Sequence, residues 1–279
     1  MKVCIVGAGA IGGYMAVRIA NAGHDVSVIA RGPHLAAIKS RGMKLIEEND
    51  EFVADNLTAT EFVGELGPMD VVLLALKAHQ IVPIVNDMSV LLGPNTVIVT
   101  LQNGIPWWYF QNFAGDYANR VVETVDPGGL LFNSIDPDRL IGCIAYPATT
   151  ISKPGVIQHI EGNRFPVGEL SGMKTERVQM VSDLFAESGF KSRIIDDIRS
   201  EIWLKLWGNL TFNPISALTH STLVDICQFP LTRQLVATMM TEAQTVGERL
   251  GAHFRIPMEK RIAGAESVGK HKTSMLQDV

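Results

Sequence analysis

Several things are scarce in this chain, and each scarcity excludes something. Among 279 residues there are three cysteines, Cys4, Cys143 and Cys227. They are odd in number, far apart, and lack both a CxxC spacing and a Cys/His pairing. That pattern argues against a disulfide framework and a structural zinc site and for a reducing, cytoplasmic setting. Basic charge is short as well: 24 Lys plus Arg stand against 29 Asp plus Glu, a net charge of −5. Such a balance offers no footprint for nucleic acid or an anionic membrane. No apolar run reaches the ~18 residues of a membrane span. The start, Met1-Lys2-Val3-Cys4-Ile5-Val6, has no cleavage-site pattern and runs straight into glycines, so it reads as a strand rather than a signal peptide. There is no internal repeat and no low-complexity tract.

What is present is a large apolar fraction, 47%, and at ~100–200 residues per domain the length predicts two domains. Val3 to Val6 is a continuous apolar run, as in a strand buried on both faces of a parallel sheet. Gly7-Ala8-Gly9-Ala10-Ile11-Gly12 follows at once, and a helical pattern then runs to about Asn21. This is GxGxxG in its required strand–turn–helix context. Gly7 serves the tight turn, Gly9 lets backbone approach a pyrophosphate, and Gly12 lets the helix pack closely. The backbone from Gly7 through Ala8, Gly9, Ala10 and Ile11 to Gly12 is therefore the expected phosphate cradle of a dinucleotide. A structural tight turn alone is the weaker reading.

The next strand, Asp25 to Ile29, ends in Ala30-Arg31-Gly32 without the Asp or Glu that usually holds the ribose 2′-hydroxyl of NAD. Arg31 stands there instead, where a planar guanidinium can grip a 2′-phosphate, so NADP(H) is expected over NAD(H). Further strands are predicted over Asp70–Leu76 and Thr96–Leu101, ending in Lys77-Ala78-His79-Gln80 and Gln102-Asn103-Gly104. Ligands in open α/β sheets bind outside the carboxyl ends of strands, which makes Lys77 and Asn103 candidates for cofactor or substrate. His79 reads more readily as a capping or surface residue. Trp107-Trp108-Tyr109-Phe110 fits core slightly better than a pocket wall. Leu130–Phe132 reads as one strand of an inserted hairpin, and residues 144 to 168 as strands closing the sheet. A helix is expected from about Lys174 to Glu187 and a last strand over Ser192–Ile195. After Asp197 the pattern is helical throughout. The prediction is an α/β fold: a doubly wound Rossmann-type domain over residues 1–196, then an all-helical domain over 197–279.

The most telling stretch is Glu201 to Pro214. Read as a helix, it places Lys205, Asn209 and Asn213 at i, i+4 and i+8, a polar stripe on an otherwise apolar cylinder. A helix apolar nearly all round is expected to be buried, and a buried ammonium is costly without a purpose. Such a lysine beside amides makes a proton donor to a carbonyl oxygen. The structural alternatives are an ion pair of Lys205 with Glu201 and helix capping by Asn209 and Asn213 before Pro214, which fits Asn213 better.

Taken in order, the glycine turn, Arg31, Lys77, Asn103-Gly104, the Lys205–Asn209–Asn213 helix and Ser274-Met275-Leu276-Gln277-Asp278 resemble ketopantoate reductase across the whole chain. The resemblance implies NADPH-dependent reduction of a 2-keto acid on the route to pantothenate, with the active site in a cleft between a Rossmann and a helical domain. It implies Lys205 as proton donor to the ketone, and Asn209 and Asn213 on the substrate's hydroxyl and carboxylate end. Ser274 would meet the carboxylate, Lys77 and Asn103 the nicotinamide end, and Arg31 the 2′-phosphate. Three departures lie around the substrate. His271 replaces an asparagine near the keto acid and is kept as a substrate-side candidate. Ser221-Thr222-Leu223 stands where another asparagine is expected. A glutamate of the family falls beyond Val279, so truncation is expected. The expected partner is a small 2-keto acid, and the apolar helices allow a homodimer. Two other readings stay open: a related NADP-dependent reductase of another 2-keto or β-hydroxy acid, and a non-catalytic NADP(H)-binding sensor.

Overall fold

The computed structural model describes residues 1–279. Two compact units, Met1–Ile198 and Arg199–Val279, each enclose their own hydrophobic core.

The first unit is α/β. Its elements run β1 (Lys2–Val6), α1 (Ala10–Asn21), β2 (Asp25–Ile29), α2 (Gly32–Arg41), β3 (Met43–Glu47), β4 (Asp50–Ala54), β5 (Thr58–Thr60), β6 (Met69–Leu74) and β7 (Leu92–Thr100). They continue with α3 (Leu130–Ser134), β8 (Leu140–Cys143), β9 (Ala148–Lys153), β10 (Val156–Glu161), β11 (Val167–Glu169) and α4 (Glu176–Glu187). Seven strands form one sheet in the order β11-β8-β7-β6-β1-β2-β5. All its pairings are parallel except β11 with β8. The buried runs Val3–Val6 and Val71–Leu74 are apolar at every position because helices and loops cover both sheet faces. This is the doubly wound architecture anticipated from the βα pattern.

A second sheet of four strands, in the order β4-β3-β10-β9, was not anticipated. The strands from Ala148 to Glu161 join it rather than closing the main sheet, and β10 runs parallel to β3. Helix α1 contributes to both environments. An added Cβ on Gly13 would lie 2.7 Å from Ile157 and 3.0 Å from Met43 of the small sheet. Around α1 the Glu47 carboxylate meets the Arg18 guanidinium, Tyr14 Oη at 3.3 Å and His159 Nδ1 at 3.4 Å. Tyr14 also stacks on the His159 ring at 4.9 Å.

Two further expectations are corrected. Leu130–Phe132 lies in helix α3, not a hairpin strand, because the buried Asp126 carboxylate accepts from Leu131 N and Phe132 N at 3.0 and 2.8 Å. This capping seeds a helical turn. Ser192–Ile195 forms only an isolated parallel bridge, between Val167 and Ile194, in which Val167 N donates to Arg193 O and Ile195 N to Val167 O without extending into a ladder. The aromatic cluster is core: Trp107, Trp108 and Tyr109 are each at most 2% exposed.

The second unit is helical: α5 (Ile198–Thr219), α6 (Leu223–Gln228), α7 (Pro230–Arg249), α8 (Met258–Ser267) and α9 (Ser274–Asp278). Its core joins Leu204, Trp207, Phe212 and Ile215 of α5 to Ile226, Val236, Met240 and Ile262. The Trp207 indole N–H donates to Met240 O at 2.7 Å, satisfying the one polar atom of that ring. Pro214 sits inside α5 and removes one helical hydrogen bond, yet the helix runs on to Thr219. Asn213 is therefore mid-helix, which overturns its reading as a cap.

Two predictions follow from the first unit. An alanine Cβ at Gly12 would lie 2.0 Å from the Gly7 carbonyl oxygen, whereas one at Gly9 would meet nothing within 4 Å. Gly12→Ala is expected to lose at least ~3 kcal/mol in urea unfolding, since backbone cannot yield, and Gly9→Ala to stay within ~1 kcal/mol of the parent. Near-equal losses would refute this. The second concerns His34, whose Nδ1 accepts from Gly155 N at 3.0 Å. Burial pushes the imidazole below its ordinary value of 6.5, with the Ala8 backbone partly offsetting it. The fold thus favours the neutral ring, and the unfolded chain takes up more protons as the pH falls through about 6.5. Stability should fall from pH 7.5 to 5, and the fall should be smaller in His34→Ala.

Candidate active site

In the large sheet, β1 lies between β2 and β6, and chain order runs outward in both directions from it. That is a topological switch point, where loops leaving the strand ends part and open a crevice. The loop after β1 is the glycine turn. Gly7 N and Ala8 N both donate to Ile29 O, at 3.2 and 2.9 Å, so the turn is laced to the end of β2. Gly7 has φ +104°, and a side chain there would also strike Leu76 at 2.7 Å. At Gly12 the helix touches the turn itself. Gly9, by contrast, opens on free space. Helix α1 begins with no side-chain cap and no acid in its first turn, so its leading amides and the positive end of its dipole remain for an anion. Ala10 and Ile11 supply part of that first turn and are half-buried.

The other candidates of this unit emerge from neighbouring strand ends. Arg31 follows β2, adopts extended backbone at the N-terminus of α2, and is exposed. No carboxylate accompanies it at the end of β2. Lys77 follows β6 and Asn103 follows β7, both exposed. His79 is exposed on a short 3-10 turn, Ala78–Gln80, as expected of a surface residue. Two residues that sequence reasoning missed hold these ends in place. The Gln102 amide donates to Leu74 O at 2.7 Å and Leu76 O at 3.1 Å, pinning the end of β6 to that of β7. The Trp108 indole donates to Thr100 Oγ1 at 3.0 Å. A glutamine after a strand carries no sequence signal of that role; its value comes only from the parallel pairing.

The second unit carries the polar stripe. Lys205, Asn209 and Asn213 lie along one face of α5 and are half-buried, not buried as expected. The apolar residues bury the opposite face, so the polar face keeps its access. The Glu201 carboxylate is 7% exposed and is held by Arg255 Nη2 at 3.0 Å to both oxygens. The structure thus gives Glu201 an arginine partner from 54 residues away, which no local spacing could reveal. Asn213 Nδ2 donates to Ser274 Oγ at 3.4 Å, joining the stripe to α9. Thr273 caps α9, accepting from Leu276 N at 3.3 Å, and its hydroxyl also pairs with Ser216 of α5. His271 is half-buried, and its carbonyl accepts from Leu223 N at 3.1 Å at the start of α6. Among the candidates of this unit, the structure therefore brings Asn213 and Ser274 together and holds His271 by its backbone.

Chemically, the first unit presents a glycine turn with an uncapped helix N-terminus and exposed cations on neighbouring strand ends. The second presents an ammonium with two amides and a hydroxyl. Comparisons with known proteins identify the family. The model "Ketopantoate reductase PanE/ApbA" matches residues 3–172, and its C-terminal counterpart matches residues 197–279. A 2-dehydropantoate 2-reductase of Mesorhizobium japonicum is 51% identical over all of this chain and 86% of its own length. One of Pyrococcus abyssi is 28% identical over all of this chain and 85% of its own. Among solved structures, 2-dehydropantoate 2-reductase of Geobacter metallireducens superposes with TM-score 0.83 at 27% identity, covering 100% of this chain and 86% of the other. D-mandelate dehydrogenase with NADH and anilino(oxo)acetate shares the fold, with TM-score 0.84 at 21% identity over 100% of this chain and 85% of the other. The chain belongs to the ketopantoate reductase PanE/ApbA family.

Proposed function

We propose that this protein reduces 2-dehydropantoate to pantoate with NADPH, residues 1–196 holding the cofactor and residues 197–279 supplying the proton donor. The observation that carries the substrate is the 51% identity with a 2-dehydropantoate 2-reductase over the whole chain. The roles of individual residues rest on chemistry.

The first unit fits NADP(H). Gly9 leaves room where a Cβ would stand, α1 has an uncapped N-terminus, and Arg31 replaces the usual acid at the end of β2. Gly7 to Gly12 would hold the pyrophosphate, Arg31 the 2′-phosphate, and Lys77 and Asn103 the nicotinamide end. When bound, the dihydronicotinamide supplies a hydride to the ketone carbon. Lys205 meets the negative charge that develops on the ketone oxygen and then delivers a proton to it. Asn209 and Asn213 orient the hydroxyl and the carboxylate end of the substrate. Ser274 holds the Asn213 amide in one rotamer, so its donor is aimed before substrate arrives. His271 is the remaining substrate-side candidate. Half-burial suits Lys205 better than full burial would, because the ammonium can be recharged from water after each turnover.

The test is oxidation of NADPH, followed at its absorbance band, with ketopantoate and a panel of other 2-keto and β-hydroxy acids. The expected result is fastest turnover with ketopantoate. Faster turnover of another acid would reassign the substrate, and tight NADPH binding without oxidation would make the protein a sensor. Lys205→Ala should lower kcat at least ~100-fold while NADPH binding, read by fluorescence titration, stays within about twofold. Near-normal turnover would sink the assignment of the proton donor. Arg31→Ala should reduce the preference for NADPH over NADH by at least about tenfold, the worth of one charge-assisted hydrogen bond.

A further inference from the structure

Phe62 is an aromatic side chain that the core does not explain. It is 63% exposed, and with Met173 it is the most exposed large apolar residue of the first unit. Its backbone is nevertheless held firmly. Phe62 N donates to Thr60 Oγ1 at 3.2 Å, and Phe62 O accepts from Glu65 N at 3.2 Å. The Thr60 hydroxyl is itself tied to the Glu65 carboxylate. The next residue, Val63, is buried, and the short turn Val63–Glu65 packs on the 3-10 segment Val82–Leu91. The fold thus fixes the base of a ring and leaves its faces to solvent.

A single exposed apolar residue is ordinary; the place of this one is not. Strand β5 is the edge strand beside β2, in parallel register with Ile29 opposite Thr60. Ala30 N extends that pairing, donating to Thr60 O at 3.0 Å. Arg31 lies two residues past Ile29 and Phe62 two past Thr60, both in extended backbone. They leave adjacent strand ends, which in a sheet stand ~4.8 Å apart. In the reading above, the glycine turn after β1 takes the pyrophosphate and Arg31, one strand outward, takes the 2′-phosphate. The adenine of NADP(H) is bonded to C1′ of the ribose whose C2′ bears that phosphate. The base therefore lies close beside whatever holds the phosphate. Inward of Arg31 is the turn assigned to the pyrophosphate; outward is the end of β5 and Phe62. Glu61, next to Phe62, is exposed. A carboxylate there suits an uncharged base with an amino donor and repels a further phosphate.

We infer that Phe62 is a cofactor-binding residue whose ring stacks on the adenine of NADP(H). The inference rests on the NADP(H) reading above and adds the recognition of the base to it. Because the backbone of Phe62 is already held by Thr60 and Glu65, little ordering remains to be done when the base arrives.

The experiment is calorimetric titration of adenosine 2′,5′-bisphosphate into the full chain and into Phe62→Ala, Phe62→Leu and Phe62→Trp. Phe62→Ala should weaken binding at least about fivefold. Phe62→Leu keeps apolar bulk without a π-face and should weaken it nearly as much. Phe62→Trp should bind at least as tightly as the parent, and the emission of its added indole should be quenched as the bisphosphate is titrated in. All three should unfold within about 2 °C of the parent, because the side chain is mostly exposed. If Phe62→Ala unfolds early, the contrast between Leu and Trp decides the matter. Equal binding by the parent and Phe62→Ala would overturn the assignment alone, as would Phe62→Leu binding as tightly as the parent. A parent that does not bind adenosine 2′,5′-bisphosphate would overturn the NADP(H) reading as well.

Discussion

Helix α1 meets the turn after β1 backbone to backbone, and the rest of the first unit depends on that contact. A single methyl group at Gly12 would stand 2.0 Å from the Gly7 carbonyl oxygen. The closeness brings the start of α1 down onto the end of β1, at the point where strand order reverses. From there the ends of β2, β6 and β7 present Arg31, Lys77 and Asn103 around one turn. The small sheet then holds α1 from behind through Ile157, Met43 and the Glu47–Arg18–His159 cluster. A helix whose N-terminus no side chain caps is thus immobilised along its body.

In the helical unit the corresponding constraint is the two-faced character of α5. Leu204, Trp207, Phe212 and Ile215 bury one side, and Trp207 adds a hydrogen bond to Met240. The polar side is left half-buried, with Lys205, Asn209 and Asn213 spaced by single turns. Apolar packing thereby sets the azimuth of every group on the stripe. The amide of Asn213 and the hydroxyl of Ser274 constrain one another, and Thr273 ties α9 to Ser216, so the far end of the stripe is braced by its own neighbours. Pro214, which cannot donate a helical hydrogen bond, stands between the two residues of α5 tied to α9, Asn213 and Ser216.

What was legible in the sequence was whatever depends on nearest neighbours. The strand, glycine turn and helix from Lys2 to Asn21 could be read directly, as could the missing acid beside Arg31 and the stripe of α5. The second sheet was not legible, because β3 and β4 mix Lys44, Glu47, Asp50 and Glu51 with few buried positions. Their partner, β10, lies more than a hundred residues away, as Gln158 bonding Ile46 O shows. Helix α3 was misread for a related reason: Leu130-Leu131-Phe132 is too short a run for periodicity, and the deciding group is the Asp126 carboxylate just before it. Burial of Lys205 was overestimated, since residues apolar all round on paper were divided by packing into a core face and an open one. The supporting residues Gln102 and Arg255 had no signal at all. Each matters only because folding brings a distant carbonyl or carboxylate to it.

If the uncapped start of α1 holds the nucleotide as proposed, it ties the protein's folding equilibrium to its nucleotide supply. In the proposed role, the leading amides of α1, which no side chain caps, would be met by the ligand, so binding would add to the stability of the native state. A ligand at a hundred times its dissociation constant adds ~2.7 kcal/mol to the stability of whatever binds it. That is a large share of the ~5–15 kcal/mol that typically separates folded from unfolded chains. Nucleotide abundance would then set not only how fast the protein turns over but how many of its copies survive.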